Sequence, residues 1–501
     1  MSKRDFDLLI IGAGLSGIGT AAHLHREHPQ RSLAIIERRD RLGGTWDLFR
    51  YPGIRSDSDM ASFGYGFKPW NSSKVLAEGP AIRDYIAETA DEQGLADKIH
   101  YGLTVVESNW SSEEQRWHLT AVVADSGERQ QFSCRFLVNC SGYFNHDQGF
   151  RPDFPGEQDF RGQIIHPQQW PDDLDYAGKR VLVIGSGATA VTLGPAMAKT
   201  AAHVTMLQRS PSYVFSLPNN DKMAELMRKI LPATLAFKLI RGRNLLVQRG
   251  LYLACRRWPR MMKKFLLRGV RKRVGPDVDM KHFTPKYMPW DERLCAVPDG
   301  DLFESLRNKQ ATIVTGHIDS FTAGGVRLVS GEELQADIVI AATGLKLQMM
   351  GGMALKVDGK PTPLHGQMTY KGALIQNIPN FMWVFGYTNA PWTLKSEIAS
   401  QYLCRLLDHM DARDLAVVTP RDDQGNALDD GIMDSLQSGY VQRDKQCLPR
   451  QGKAGPWQVT MHYGKDRKML LEQPVEDDRL EFEARRSTTP VAQTTLTAAA
   501  A

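Results

Sequence analysis

Two short glycine strings restrict this chain to one kind of fold. Gly12-Ala-Gly-Leu-Ser-Gly17 follows the apolar run Phe6-Asp-Leu-Leu-Ile-Ile11, and Gly185-Ser-Gly-Ala-Thr-Ala190 follows Arg180-Val-Leu-Val-Ile184. A buried strand that breaks into such a string and enters a helix is the phosphate end of a nucleotide-binding βαβ unit. The glycines permit a tight turn and close approach of backbone to pyrophosphate, at a helix N-terminus that favours negative charge. Each unit continues into a second strand, Leu33-Ala-Ile-Ile-Glu37 in one case and Ala202-His-Val-Thr-Met-Leu-Gln-Arg209 in the other. One string alone is weak. Two in order predict an α/β fold with two Rossmann-like dinucleotide-binding domains.

The strand Asp337-Ile-Val-Ile-Ala-Ala-Thr-Gly344 mirrors Arg135-Phe-Leu-Val-Asn-Cys-Ser-Gly142, so the chain leaves the first domain and returns to it. The second domain is therefore expected as an insertion in the first. Residues 1–145 and 341–486 are assigned to the first domain, 146–175 to a linker, and 176–214 with 291–340 to the second. Residues 215–290 are expected as a helical insertion and 487–501 as a disordered tail, with Asn380–Gly386 the last strand. A chain of 501 residues is too long for a single core, which agrees with this division.

Composition excludes several function classes. No run of 18 uncharged apolar residues could span a bilayer, and the N-terminus enters a strand without an export signal. The six cysteines (134, 140, 255, 295, 404, 447) contain no C-x-x-C pair, which argues against a disulfide framework, a metal site and a dithiol redox centre. A cytoplasmic location fits best.

The two nucleotide sites differ in charge. Glu37 ends the second strand of the first unit, where a carboxylate takes ribose hydroxyls. From Arg180 to Asn220 there is no Asp or Glu, and the corresponding strand ends in Gln208-Arg209-Ser210. A carboxylate would repel a 2′-phosphate, whereas an arginine beside a hydroxyl binds one. FAD is thus assigned to the first site and NADPH to the second; the bland alternative makes Arg209 a solvated surface residue.

Between the fingerprints lies Phe160-Arg-Gly-Gln-Ile-Ile-His-Pro-Gln-Gln-Trp-Pro-Asp172. This spacing resembles the signature of the Baeyer–Villiger monooxygenases, flavoenzymes that use NADPH and O₂ to insert oxygen beside a carbonyl. Gly43-Gly-Thr-Trp-Asp-Leu-Phe-Arg-Tyr-Pro-Gly-Ile-Arg-Ser-Asp57 and Trp290-Asp-Glu-Arg-Leu-Cys295 are similar to strings of that family's ethionamide-activating branch. The resemblance implies conversion of ketones to esters or lactones through a C4a-peroxyflavin, with sulfoxidation as a side activity. It implies FAD contacts at Gly12, Gly14, Ser16, Gly17, Glu37, Gly44, Thr45, Trp46, Asp47, Asp57, Phe63 and Val105. NADP contacts are implied at Arg55, Ser56, Asp57, Gly185, Ser186, Gly187, Ala188, Thr189, Ala190, Gln208, Arg209 and Ser210. By family position Arg293 is the catalytic cation and Asp57, read as a buried carboxylate, orients it. Glu292 stands where many of the family carry a lysine, which shifts the 2′-phosphate more heavily onto Arg209. Phe160, Gly162, His166 and Trp170 are read as conformational: His166 as a linker histidine that relays domain rotation, Phe160 and Trp170 as packing anchors.

Two other readings remain open. An S- or N-oxygenating flavin monooxygenase shares both fingerprints, although its linker typically lacks the Trp-Pro-Asp ending. A non-catalytic, membrane-associated flavoprotein is the alternative of another class. Residues 222–275 hold sixteen Lys and Arg against one acid, Glu225, and so carry +15 of a net +5. Around and after Pro259, apolar residues at 258, 261, 262, 265, 266 and 270 and basic ones at 260, 263, 264, 268, 271 and 272 fall at helical spacing. Such a helix is expected either to lie on an anionic membrane or to pack its apolar face on the protein. Nucleic acid has no supporting motif.

Overall fold

The computed structural model describes residues 4–486 apart from Arg293 and Ser435. The expected tail at 487–501 lies outside the described residues. The first sheet is built on the strand Arg4–Ile11, which runs parallel to Leu33–Ile36 on one side and to Arg129–Asn139 on the other. Leu8, Leu9 and Ile10 are at most 1% exposed, as expected of a parallel strand covered on both faces. Arg129–Asn139 is long enough to serve two partners along its far edge. Its first half joins an antiparallel meander with Arg116–Val123 and Leu103–Ser111, and its end pairs with Phe381–Trp383.

The second sheet has five strands, all parallel, in the order Ala311–Thr315, His203–Gln208, Arg180–Ile184, Ile338–Ala341, Gln163–Ile165. Helix α1 (Leu15–Glu27) follows the first glycine string and α2 (Ala188–Met197) the second. The fold is thus α/β with two Rossmann-like halves.

Two expectations need correction. Phe381–Trp383 is not the last strand; among the described residues four more follow, paired in two ribbons, Leu415–Pro420 with Leu480–Ala484 and Ala427–Gly431 with Arg450–Gly452. Segments such as Ala427-Leu-Asp-Asp-Gly431 have no apolar alternation, so their pairing depends on tertiary contacts rather than on a pattern. The helical insertion also begins inside a strand, since Val214–Leu217 pairs with Cys295–Pro298.

That insertion holds α3 (Lys222–Ile230), α4 (Ala233–Arg257) and α5 (Pro259–Val274). It touches both halves of the molecule. Ala236 and Ile240 of α4 pack on Ala61, and Arg241 donates to the carbonyls of Ala61 and Gly64 while pairing with Glu397 at 3.1 Å. On α5, Val270 and Val274 enter the core of the second half, and Leu266 packs with Tyr213 and Leu294. The α5 face formed by Met262, Leu266, Val270 and Val274 is therefore a packed one. Among the described residues no helix is long and apolar enough to cross a membrane.

Candidate active site

The first glycine string divides its labour by position. Gly12 has φ +99°, and a Cβ there would lie 2.7 Å from the Cys140 carbonyl oxygen, so the strand crossing itself demands glycine. A Cβ on Gly17 would lie 1.8 Å from the Gly12 oxygen, which makes this glycine a helix–strand packing residue rather than a cavity residue. Gly14 is different. Its Cβ would meet nothing closer than 3.5 Å, at Gly44 Cα, so packing alone does not require a glycine here. Gly14 also ends the turn into α1, whose N-terminus has no side-chain cap. An open glycine at an uncapped helix start fits a pyrophosphate.

Glu37 completes the match. It is 4% exposed and accepts from the amides of Ala13 (2.7 Å) and Arg39 (3.0 Å). Burial pushes its carboxyl above the usual range, and those amides and the nearby Arg39 and Arg38 oppose the rise. Each carboxylate oxygen retains a lone pair for a ribose hydroxyl. These residues fit the adenosine end of FAD.

They open into a cavity of about 990 Å³. Gly12, Gly14, Ser16, Glu37, Gly44 and Thr45 line one end, and Trp46, Asp57, Phe63 and Val105 also reach it. Trp46 meets Phe63 edge-on at 5.8 Å, and Trp392 stacks on Tyr143 at 5.0 Å while donating to Ser16 Oγ at 2.8 Å. Flat walls of this kind suit a fused ring system.

Four expected contacts are placed otherwise. Asp47 is buried off the cavity, where Arg39, Arg41 and Arg50 surround its carboxylate. Asp57 lines the cavity but is exposed; the buried carboxylate is Asp59, two residues on. Asp59 caps the short helix Met60–Phe63 through Ser62 N and accepts from Asn244 at 2.7 Å and from Gln248. The cap turns Asp59 inward and leaves Asp57 at the rim. Arg55 pairs with Asp301 at 2.6 Å, and Ser56 is buried in its own turn, bonded to the Ser58 carbonyl and the Ala77 amide.

Helix α4 supplies what the sequence did not announce. Asn244, Val247, Gln248 and Leu251 line the cavity from the insertion. Their spacing marks one helix face, but nothing local says that the face meets a cavity. Arg293 lies outside the described residues; its chain neighbours Trp290 and Leu294 both line the cavity.

The second string repeats the design. Gly185 has φ +147° and its Cβ would lie 2.4 Å from the Ala342 oxygen, whereas a Cβ on Gly187 would meet nothing within 4 Å. Helix α2 likewise starts without a side-chain cap. Ala188 is exposed, Thr189 half-buried and Ala190 fully buried, while Ser212 donates to Ser186 at 3.2 Å. Arg209 and Ser210 are exposed beyond the strand end. Gln208 is not: its amide points inward and donates to the His282 carbonyl and Thr315. Two charges stand near Arg209. Burial pushes the Glu292 carboxyl up and Arg209 pulls it down, while burial and then the Arg209 charge lower Arg443, which lies over the Phe150 ring at 3.5 Å. Arg443 is a second guanidinium that no motif pointed to.

The linker string is structural at its ends and wedged at its centre. Phe160 packs edge-on against Phe321, and Trp170 packs on the core of the second half. A Cβ on Gly162 would lie 2.2 Å from the Asp337 oxygen. The His166 ring lies against Gly149, its Nε2 is 3.0 Å from the Gly344 carbonyl, and its Nδ1 accepts from the Gln168 amide. Burial lowers its pKa, which favours the neutral ring with Nε2 as donor. The histidine thus fastens the linker to the point where the chain returns to the first half.

Two nucleotide cradles, one of them opening on an aromatic-walled cavity, define a two-dinucleotide oxidoreductase. Comparison with known proteins narrows this. The flavin-binding monooxygenase-like family profile matches residues 70–235, and a profile for NAD(P)-binding Rossmann-like domains matches residues 10–86. MymA of Mycobacterium tuberculosis is 57% identical over 486 residues, spanning 96% of this chain and 98% of its own. The FAD-containing monooxygenase EthA of the same organism is 45% identical over 482 residues, 96% and 98% of the two chains. A steroid monooxygenase bound to NADP superposes with TM-score 0.76 at 21% identity, over 96% of this chain and all of that one. An open form of cyclohexanone monooxygenase gives 0.76 at 19% identity with the same coverage. The chain belongs to the FAD-containing, flavin-binding monooxygenase-like family.

Proposed function

We propose that this chain is an NADPH- and O₂-dependent Baeyer–Villiger monooxygenase that converts ketones to esters or lactones, with sulfoxidation as a side activity. The observation that carries the reading is the pair of open glycines, Gly14 and Gly187, at uncapped helix starts in two halves joined by the Phe160–Asp172 string. Bound FAD would accept hydride from NADPH and activate O₂. The protein's own part is placement. Glu37 holds ribose, Trp46 and Trp392 exclude water, and Arg293 supplies a fixed positive charge to oxygen that becomes negative during insertion. An arginine suits this role because it cannot give up its proton. Asp57, at the rim, orients that arginine, and His166 steadies the linker as the halves shift between hydride donation and oxygen insertion.

Product analysis by mass spectrometry, with a mixed panel of ketones and sulfides plus NADPH, tests the assignment. Esters or lactones support it. Sulfoxides or N-oxides alone would assign the S- or N-oxygenating reading instead. FAD binding without substrate-dependent NADPH turnover would assign the non-catalytic one.

Cofactor choice gives a separate prediction. Arg209, exposed beside Ser210, should contact the 2′-phosphate through a charge-assisted bond worth about 1.5–3 kcal/mol. Arg209→Ala is expected to raise KM for NADPH by roughly 10- to 100-fold at the same conversion of energy to affinity, and to leave KM for NADH nearly unchanged. Equal losses for both cofactors would make Arg209 a structural residue.

The reading extends to peripheral contact with an anionic membrane, the source of a poorly soluble ketone.

A further inference from the structure

Among the described residues thirteen large apolar side chains are exposed, and eleven of them lie between Met223 and Phe265; only Tyr101 and Val329 lie elsewhere. They are ordered. On α4, Leu235, Leu239, Leu246 and Leu253 are 44–75% exposed, and at 100° per residue they fall within an arc of about 40°. Gly242 and Gly250 flank that arc, about 20° beyond its two edges, with open space where a Cβ would stand. Met223, Leu226 and Ile230 form an exposed stripe of about 60° on α3. Trp258, Met261 and Phe265 do the same at the start of α5, and Arg268 and Lys272 continue that face beyond them. Five more basic residues are close by: Lys229, Lys238, Arg257, Arg260 and Lys264 are exposed on the same three helices.

We propose that α3, α4 and the first two turns of α5 form a docking face for an anionic lipid bilayer, and that the cavity opens onto this face at Met223 and Val247. The inference rests on the reading of the cavity as the site of ketone oxidation. Met223 and Val247 belong to both surfaces, being 57% and 64% exposed and also lining the cavity. Leu251 and Leu294 continue an apolar wall inward from them. An apolar substrate dissolved in the bilayer would thus reach the cavity without crossing water.

Charge selects the occupant. A second copy of the chain would bring one +15 segment against another, which like-charge repulsion disfavours. A purely polyanionic partner would neutralise the basic residues but leave the leucine stripe in water. An anionic bilayer meets both demands, with acyl chains for the stripe and headgroups for its basic rim. The face also differs from the one expected from the sequence. There the apolar residues of 258–270 formed a single side, but Met262, Leu266 and Val270 pack inward and only Trp258, Met261 and Phe265 remain outside.

Co-sedimentation of the FAD-loaded enzyme with vesicles tests the proposal. Wild type should pellet with phosphatidylcholine vesicles containing phosphatidylglycerol, and bind pure phosphatidylcholine at least about tenfold more weakly. Binding should fall as salt rises from about 0.1 M to about 1 M, where the Debye length drops from about 10 Å to about 3 Å. Two variants separate the contributions, Leu239→Glu/Leu246→Glu for the stripe and Arg257→Glu/Arg260→Glu/Lys264→Glu for the rim. None of these residues lines the cavity, so NADPH oxidation without substrate should stay at the wild-type rate. Each variant should lose anionic-vesicle binding by at least about tenfold. Anionic vesicles should accelerate oxidation of a long-chain ketone by wild type, have no such effect on the stripe variant, and leave a short, water-soluble ketone unaffected. Wild type remaining in the supernatant at low salt overturns the proposal. So does pelleting without vesicles, which would make the face a self-association surface, and so does a stripe variant that binds as wild type does. Sedimentation decides the surface even if no ketone is turned over, so a failure of the reaction assignment is seen separately.

Discussion

Arg293→Ala is expected to keep its FAD and to accept hydride from NADPH at close to the wild-type rate, yet to lose ester formation by about 10²–10³-fold. That is the loss seen when one fixed donor to a developing oxyanion is removed. The expectation rests on charge. Hydride arrives before negative charge develops on substrate oxygen, so a cation that serves only the insertion leaves the reductive half intact. The cation's sequence neighbours Trp290 and Leu294 line the same cavity as Glu37 and Trp46. Stopped-flow absorbance separates flavin reduction from reoxidation, and product analysis gives ester yield. Near-normal yield from the variant would take Arg293 out of the mechanism; parallel loss of both half-reactions would make it a structural residue.

A contrast between two neighbouring glycines should be almost as large. Gly14→Ala places a methyl group where packing leaves room, the nearest atom being Gly44 Cα at 3.5 Å, in backbone that any residue adopts. The apoprotein should fold with an unchanged Tm. FAD affinity should fall by about 10- to 100-fold, because forcing an extra methyl group into a tight contact costs roughly 1–3 kcal/mol. Gly12→Ala meets the Cys140 carbonyl at 2.7 Å with φ +99°, so it should destabilise the fold by about 1–3 kcal/mol even without cofactor. Calorimetry of both apoproteins, with fluorescence titration of FAD, checks the pair. A Gly14→Ala protein that binds FAD normally would remove the pyrophosphate from that position.

Much of the site was legible because it is local. A strand, a glycine turn and a helix start are adjacent in the chain, and the assignment of Gly14, Glu37 and Gly187 needs only that adjacency and the backbone geometry it forces. The roles of Phe160 and Trp170 as anchors were legible for the same reason, as large apolar residues bounding a short linker. Asp57 and Asp59 were not. They stand two residues apart with the same chemistry, and which one turns inward was decided by the cap on Met60–Phe63 and by Asn244 and Gln248, which approach from more than 180 positions away. Gln208 was misread similarly, since its partners His282 and Thr315 lie in other elements.

By itself the sequence determined the α/β class, the two nucleotide halves, the acid at the strand end of the first and its absence at the strand end of the second, and the basic insertion. These follow from period, turn chemistry and charge, which the chain carries at every point along its length. Only the tertiary structure decided which helix faces are covered. The apolar residues of α5 were readable as a stripe, but burial is a property of pairs of surfaces, and the partners of Leu266, Val270 and Val274 lie in distant elements of the second half. The leucine stripe of α4 stayed outside for the converse reason. The opposite face of that helix already meets Ala61, Asp59 and the cavity, so a single helix could not bury both sides against one core.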